Sequence, residues 1–336
     1  MKRLVPSLVV ALFAIQVQAD STPQVVPAAE TMLGKGIPNA SKEWSLQDSK
    51  NDHGPGRMIE IKQGDTRVAA FIYGEGQIKP YLAVYDNEGR RISNPGITPD
   101  GETRGRFPHH RGIFIGWNHL DSNLGRDDLW HLRGGESMTV ASINAAETSE
   151  TGAQLDVTIH WTSRRRGDDQ KGLLITERRR FHIAREDGRT WIDKHSEFVA
   201  ARDLHLRGDL QHAGLHFRAD ADVDSVRRQT RYIWSPADLP AGNGRILSDS
   251  LQWVNFRFPL HENWYSVTQL NHPVNRATEL SWRDYGRFGF FFTDSLEAGE
   301  TRVVAGRFVF DELAERGDND PIRQRAQADH DAWISE

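Results

Sequence analysis

The chain contains no cysteine, which removes disulfides, thiolate metal sites and cysteine nucleophiles from consideration. It has no GxSxG elbow, no phosphate-cradling glycine loop and no dinucleotide fingerprint, so three common catalytic frameworks are missing as well. Positive charge is not in excess: the formal net charge is −5, so nothing in the overall balance suits nucleic acid or an anionic membrane surface. Only one apolar run stands out, Leu4 to Ile15. At roughly 30 Å of hydrocarbon a span needs about 20 residues, and this run falls short.

That run follows Lys2 and Arg3 and precedes the small-residue pattern Val17-Gln18-Ala19. This is the layout of a secretory signal peptide over residues 1–19, so the chain is expected to be exported, periplasmic or secreted. A retained N-terminal anchor is the alternative; with no cysteine after the run, a lipoprotein anchor is excluded. Residues 20–56 begin with a stretch rich in Ala, Pro, Ser and Thr and lacking periodicity, and read as a linker or loose arm.

From Arg57 onward, short runs of β-branched and aromatic residues recur between Gly, Asn, Asp and Pro. Strands are expected at Met58–Lys62, Arg67–Tyr73, Pro80–Tyr85, Leu155–Thr162, Gly172–Ile183 and Trp191–Val199. The second half continues with Leu251–Pro259, Trp264–Leu270, Glu279–Tyr285, Phe288–Thr293 and Thr301–Phe310. Leu155, Val157, Ile159 and Trp161 alternate with Asp156, Thr158 and His160, the period of a strand with one buried face. Asp86-Asn87-Glu88-Gly89 and Glu186-Asp187-Gly188 supply turn chemistry. Helical periodicity is confined to Pro321–Trp333, with Asp318, Asn319 and Asp320 as candidate caps. The expected fold is therefore all-β, a large antiparallel sandwich over 57–312 with a helical tail over 313–336. Arg178-Arg179-Arg180 lies in a strand-like run, so its side chains alternate, and a solvated strand edge is expected to account for them.

Three segments concentrate chemistry. In FPHHRGIFIGWNH, an extended chain puts Arg111, Ile113, Ile115, Trp117 and His119 on one face and Gly112, Phe114, Gly116 and Asn118 on the other. His109 and His110 sit at its mouth, and Trp130 and His131 follow in DLWHLRGG. Imidazoles are costly in a plain core because each ring nitrogen wants a partner; a satisfied polar cluster under a loop is the plainer alternative. The second segment pairs the polar stripe Trp191, Asp193, His195 and Glu197 with QHAGLHFR, where His212, Gly214, His216 and Arg218 share a face if extended. Glycine between two histidines permits close approach to the backbone. The third, Leu270–Phe292, carries Asn271, His272, Asn275, Arg276, Trp282, Arg283 and Tyr285. Rings beside amides and guanidinium groups suit sugars, whose C–H faces stack while hydroxyls hydrogen-bond, although single tryptophans are more often core residues.

Taken together, PYLAVYDNEG, FPHHRGIFIGWNH, DLWHLRGG, QHAGLHFR and NHPVNRATELSWRDYG resemble the exported bacterial family labelled methane oxygenase PmoA, over about Met58 to Phe310. That family has no assigned function, so the resemblance implies motif boundaries and no catalytic residues. A weaker, fold-level similarity runs to the galactose mutarotase-like β-supersandwich, on the order of WIDKHSEF, a His-bearing segment and a late GETRVVAGRFVF strand. It implies sugar chemistry by His and carboxylate and carries no site by itself.

The expected function is an exported carbohydrate-active protein working on a sugar or glycoside by acid–base chemistry. His110, His212 and Glu197 are the expected catalytic residues; His109, Arg111, Trp117, His119, Trp130, His131, His216, Asn271 and His272 would bind substrate. No cofactor is expected. A non-catalytic glycan-binding module is one rival. A metal-dependent oxidoreductase or hydrolase ligated by the histidines, His212 and His216 among them, is the other.

Overall fold

The strand Ala153–Thr162 shows why this chain forms sheets: Leu155, Val157, Ile159 and Trp161 are all buried in one apolar cluster, while Thr158 and His160 on the opposite face are partly exposed. Repetition of that alternation builds an all-β architecture. The computed structural model describes residues 43–165, 172–209 and 211–336. The signal-peptide expectation at 1–19 and the arm up to residue 42 lie outside the described residues.

Among the described residues the strands form three antiparallel sheets. The first runs Trp44–Lys50, Arg57–Gln63, Thr66–Tyr73, Tyr81–Val84, Gly112–Trp117, Ala213–Arg218, Arg287–Phe291, Glu279–Arg283 and Arg245–Leu247. The second runs Arg231–Ser235, Trp253–Leu260, Asn263–Asn271, Thr301–Leu313, Arg189–Ala200, Leu173–Glu186, Ala153–Thr162 and Ser137–Thr148. A small third sheet holds Asp294–Leu296, Leu204–Arg207, His119–Ser122 and Gly125–Asp127. The two large sheets meet across one core, to which the first contributes Phe71, Ile115, Leu215 and Phe290 and the second Val157, Phe181, Phe256 and Phe308.

Several expectations change here. The arm expected over 20–56 ends in a strand: Trp44–Lys50 pairs residue by residue with Arg57–Gln63, and Trp44 is buried in the core. Its WSLQDSK sequence is polar because it is a sheet edge with one face in water. Arg179 is no solvated edge residue. Its strand is flanked on both sides, and its side chain is fully buried, paired with Glu177 at 2.8 Å and donating to the Pro80 carbonyl at 3.1 Å. Arg178 and Arg180, on the other face, both meet Asp156. A buried ion pair is tolerated only when its remaining polar atoms are satisfied, and here Trp161 Nε1 and the Ser196 hydroxyl also donate to Glu177.

The last strand continues to Leu313, and the C-terminal helix spans Asn319–Ser335 with Asp318 at its cap position. Ala326, His330 and Trp333 bury its inner side against the second sheet's outer face. Among the described residues no helix is long and apolar enough to cross a membrane.

Candidate functional site

The first sheet is buried on both faces in its middle, and the second burial makes the site. On the strand Gly112–Trp117, Ile113, Ile115 and Trp117 point into the sandwich, leaving Gly112, Phe114 and Gly116 on the outer face. The neighbouring strand Ala213–Arg218 does the same: Ala213, Leu215 and Phe217 face the core, and Gly214, His216 and Arg218 face out. Gly116 lacks a Cβ that would collide with the Leu129 carbonyl, so the segment after Asp127 lies flat on the sheet, with Leu129 N donating to Trp117 O at 2.9 Å. Gly214, at φ 89°, has the same relation to the Phe290 carbonyl. The close approach expected between His212 and His216 is thus made by the protein's own backbone.

Upon this floor five histidines converge. Ring centroids lie 4.2 Å apart for His109 and His110, 4.5 Å for His109 and His131, and 4.9 Å for His131 and His212. Trp130 stands edge-on to His110, His212 and His216 at 5.5, 5.5 and 4.9 Å. The hydrogen bonds distinguish their roles. Trp130 Nε1 donates to His110 Nε2 at 3.0 Å, so this ring is a neutral acceptor on that side. His216 has both nitrogens engaged, donating from Nε2 to Ala213 O at 2.8 Å and taking Arg287 Nη1 on Nδ1 at 3.4 Å. His131 and His212 each set Nδ1 against a carboxylate oxygen, of Asp128 and Asp209 respectively, both at 2.8 Å. Their Nε2 atoms are thereby left for chemistry. His109 makes no hydrogen bond through either ring nitrogen.

Both aspartates are fixed by local turns. Asp128 accepts from the backbone N–H of Trp130 and His131, and Asp209 from that of Gln211. Asn118 clamps Asp209 further, donating to its carboxylate at 2.8 Å and accepting its backbone N–H at 3.0 Å.

The electrostatics favour the neutral form of four of these rings, His109, His110, His212 and His216. Burial, reinforced by Lys79, drives His109 down to about 2. His110 and His216 are held well below 6.5, mainly by burial, with further lowering by His109 and Arg287 respectively. For His212 burial outweighs the opposing hydrogen bond to Asp209, leaving it lowered. Burial would raise Asp128 and Asp209, but hydrogen bonds to His131 and His212 prevail and keep both carboxyls low. Lys79, buried beneath the cluster with its ammonium donating to Trp130 O, is pushed down to about 7 by burial against the pull of Asp128.

The structure therefore gathers His109, His110, Trp130, His131, His212 and His216 from the expected set. Arg111 is close by but structural, donating to Pro108 O at 2.9 Å and Gln77 Oε1 at 2.5 Å. Trp117 is a core residue: it is fully buried, donates to Phe292 O at 2.9 Å and packs on Trp161, Phe198 and Phe292. His119 belongs to the small third sheet, opposite Arg207. Glu197 lies on the second sheet, on the face opposite Ile192 and Phe198, so the sandwich core separates it from the histidines. Asn271 and His272 lie against the C-terminal helix: Asn271 O faces His330 Nε2 at 3.3 Å while its side chain bonds Leu251 O and Asn275, and His272 caps a short turn and stands edge-on to Trp333. Sequence reasoning missed Asp128, Asp209 and Lys79. Asp128 and Asp209 each stand three residues before a site histidine, a spacing that could have revealed them.

Among the described residues no three His, Asp or Glu side chains are arranged to hold one metal ion. His216, expected as a ligand in the metal rival, has both ring nitrogens occupied.

A β-sandwich of two large sheets carrying a histidine and aspartate cluster on the outside of one sheet is thus the class of protein defined. The chain belongs to a family of unknown function, DUF6807, whose model matches residues 58–312. That description assigns no activity, methane oxygenation included. No curated protein matches the chain. Among solved structures it is similar to the Slr1438 protein of Synechocystis (11% identity, 80% of this chain and 100% of that one, TM-score 0.44). It is also similar to a galactose mutarotase-like protein of Clostridium acetobutylicum (8%, 81% and 99%, TM-score 0.40). A third is a galactose mutarotase related enzyme of Lactobacillus acidophilus (7%, 82% and 99%, TM-score 0.37). Likeness at this level concerns the sandwich in outline and assigns no residue.

Proposed function

We propose that the cleft between His131 and His212 is an acid–base site acting on a sugar or glycoside in an exported protein. The observation that carries this reading is the pair of imidazoles 4.9 Å apart, each with Nδ1 held by its own aspartate and Nε2 left open. A carboxylate on Nδ1 fixes the tautomer and stabilises the imidazolium that forms when Nε2 takes a proton. Tautomers here follow from the hydrogen-bond partners. His212, neutral at pH 7, is the base and takes a proton on Nε2; His131, entering as the imidazolium that Asp128 stabilises, gives its Nε2 proton to the other side of the reacting centre.

The rim supports the substrate class. Phe107 is 39% exposed and packs on Tyr285 with centroids 5.2 Å apart, beside His109 and His110. An open ring next to hydrogen-bonding groups is how the C–H face and hydroxyls of a sugar are recognised together.

Incubating the protein with a panel of sugars and glycosides and resolving the products by chromatography and NMR tests this. A changed product, or solvent deuterium entering the sugar, supports acid–base turnover. Unchanged sugars that shift on binding would make the site a glycan-binding surface instead.

A further inference from the structure

The second half of NHPVNRATELSWRDYG leads away from the histidines into a cavity of about 540 Å³ that the acid–base reading does not use. Its wall carries Arg227, Arg228, Arg231 and Arg283 against one carboxylate, Asp284. Among the described residues Arg228, Arg231 and Arg283 have no carboxylate partner. Arg231 and Arg283 donate only to backbone carbonyls, including Thr230 O at 2.8 Å and Gly244 O at 3.1 Å, so most of their N–H groups remain open. Trp282 supplies an apolar surface between Tyr232 and Trp234, its centroid 5.9 and 6.2 Å from theirs. A second hollow of about 590 Å³ shares Arg227 and Arg228 and adds Arg106; Asp224 on its wall lies 3.7 Å from both Arg106 and Arg227, leaving Arg228 as its arginine without a carboxylate among the described residues. Arg106 lies over the Phe107 ring at 5.6 Å. The basic surface thereby runs to the aromatic platform at the cleft.

This is a local concentration of positive charge on a chain whose net charge is −5. Beneath the platform, Arg218 is fully buried, stacks under Tyr285 at 4.8 Å, and leaves Nε and Nη2 without partners. Guanidinium groups recognise carboxylates and sulfates by charge-assisted, often bidentate hydrogen bonds, and indole faces take pyranose rings.

We propose that the groove from Trp282 to Phe107 binds an anionic glycan, a sugar chain bearing carboxylate or sulfate groups, and feeds it to the histidine cleft. The feeding rests on the acid–base reading; the binding does not.

Affinity electrophoresis and calorimetry at low salt with polygalacturonate, dextran sulfate, neutral dextran and an oligothymidylate test it. Binding of polygalacturonate or dextran sulfate, at least about tenfold weaker in the exposed double variant Arg228→Ser/Arg231→Ser and weakened by salt, is expected. Whichever polymer binds tighter identifies the oxyanion. Equal binding of dextran, no binding of either anionic polymer, an unchanged double variant, or tighter binding of the oligonucleotide would overturn the proposal. His212→Asn should keep this binding. Groove binding without turnover of any glycan removes the cleft reading alone, whereas turnover of neutral sugars without anionic binding removes the groove alone.

Discussion

His212 Nδ1 lies 2.8 Å from the Asp209 carboxylate, and Asp209 is itself gripped by Asn118 from the end of the strand Gly112–Trp117. The pair ties the two expected His-rich segments into one unit: the PHHRGIFIGWNH motif supplies the clamp and QHAGLHFR supplies the base.

Asp209→Asn keeps the shape but removes the charge that favours His212 protonation. The lowered His212 value then falls further, so the acid limb of the kcat/KM profile moves to lower pH. The maximal rate drops by about 10²- to 10⁴-fold, because the tautomer is no longer fixed and the imidazolium is no longer stabilised. Rate profiles from pH 4 to 8 check both effects. An unmoved limb with an unchanged rate would remove Asp209 from the site.

Burial of neutral His109 has a cost in acid. Its folded value of about 2 is depressed from an ordinary 6.5, so below pH 6.5 the unfolded chain binds a proton that the folded one does not, and stability falls as pH drops toward 2. One such group contributes at most about 1.4 kcal/mol per pH unit. Urea midpoints of wild type and His109→Gln between pH 7 and 4 should diverge in slope, the variant being flatter. Parallel slopes would show that His109 does not stay neutral in the fold.

How far the site was legible depended on the range of its interactions. Strand alternation is local, so the sandwich, its main strands and the shared face of His216 and Arg218 followed from spacing alone. Which face of a strand would be functional did not follow. In PHHRGIFIGWNH the bulky face Ile113, Ile115 and Trp117 became core, and the face with Gly116 became the site, because a glycine-lined surface admits a covering loop. Glu197 was misplaced for a similar reason: its stripe is polar because Asp193 pairs with Arg307 at 2.5 Å beneath the C-terminal helix, a contact between distant segments. Accordingly Glu197→Gln should leave kcat/KM within about twofold on whichever substrate is turned over, since surface changes away from a site are nearly neutral. A loss of tenfold or more, measured by initial rates, would return Glu197 to the mechanism.

The pairing of His131 with His212 is tested most directly by kcat/KM of His131→Asn, His212→Asn and the double variant on the first sugar shown to be turned over. Each single change is expected to cost about 10²- to 10⁴-fold, and the double change little more than the worse single one, as for residues acting as a unit. Turnover within about threefold of wild type in either single variant, with the protein folded, would contradict the assignment of this cleft as the catalytic site.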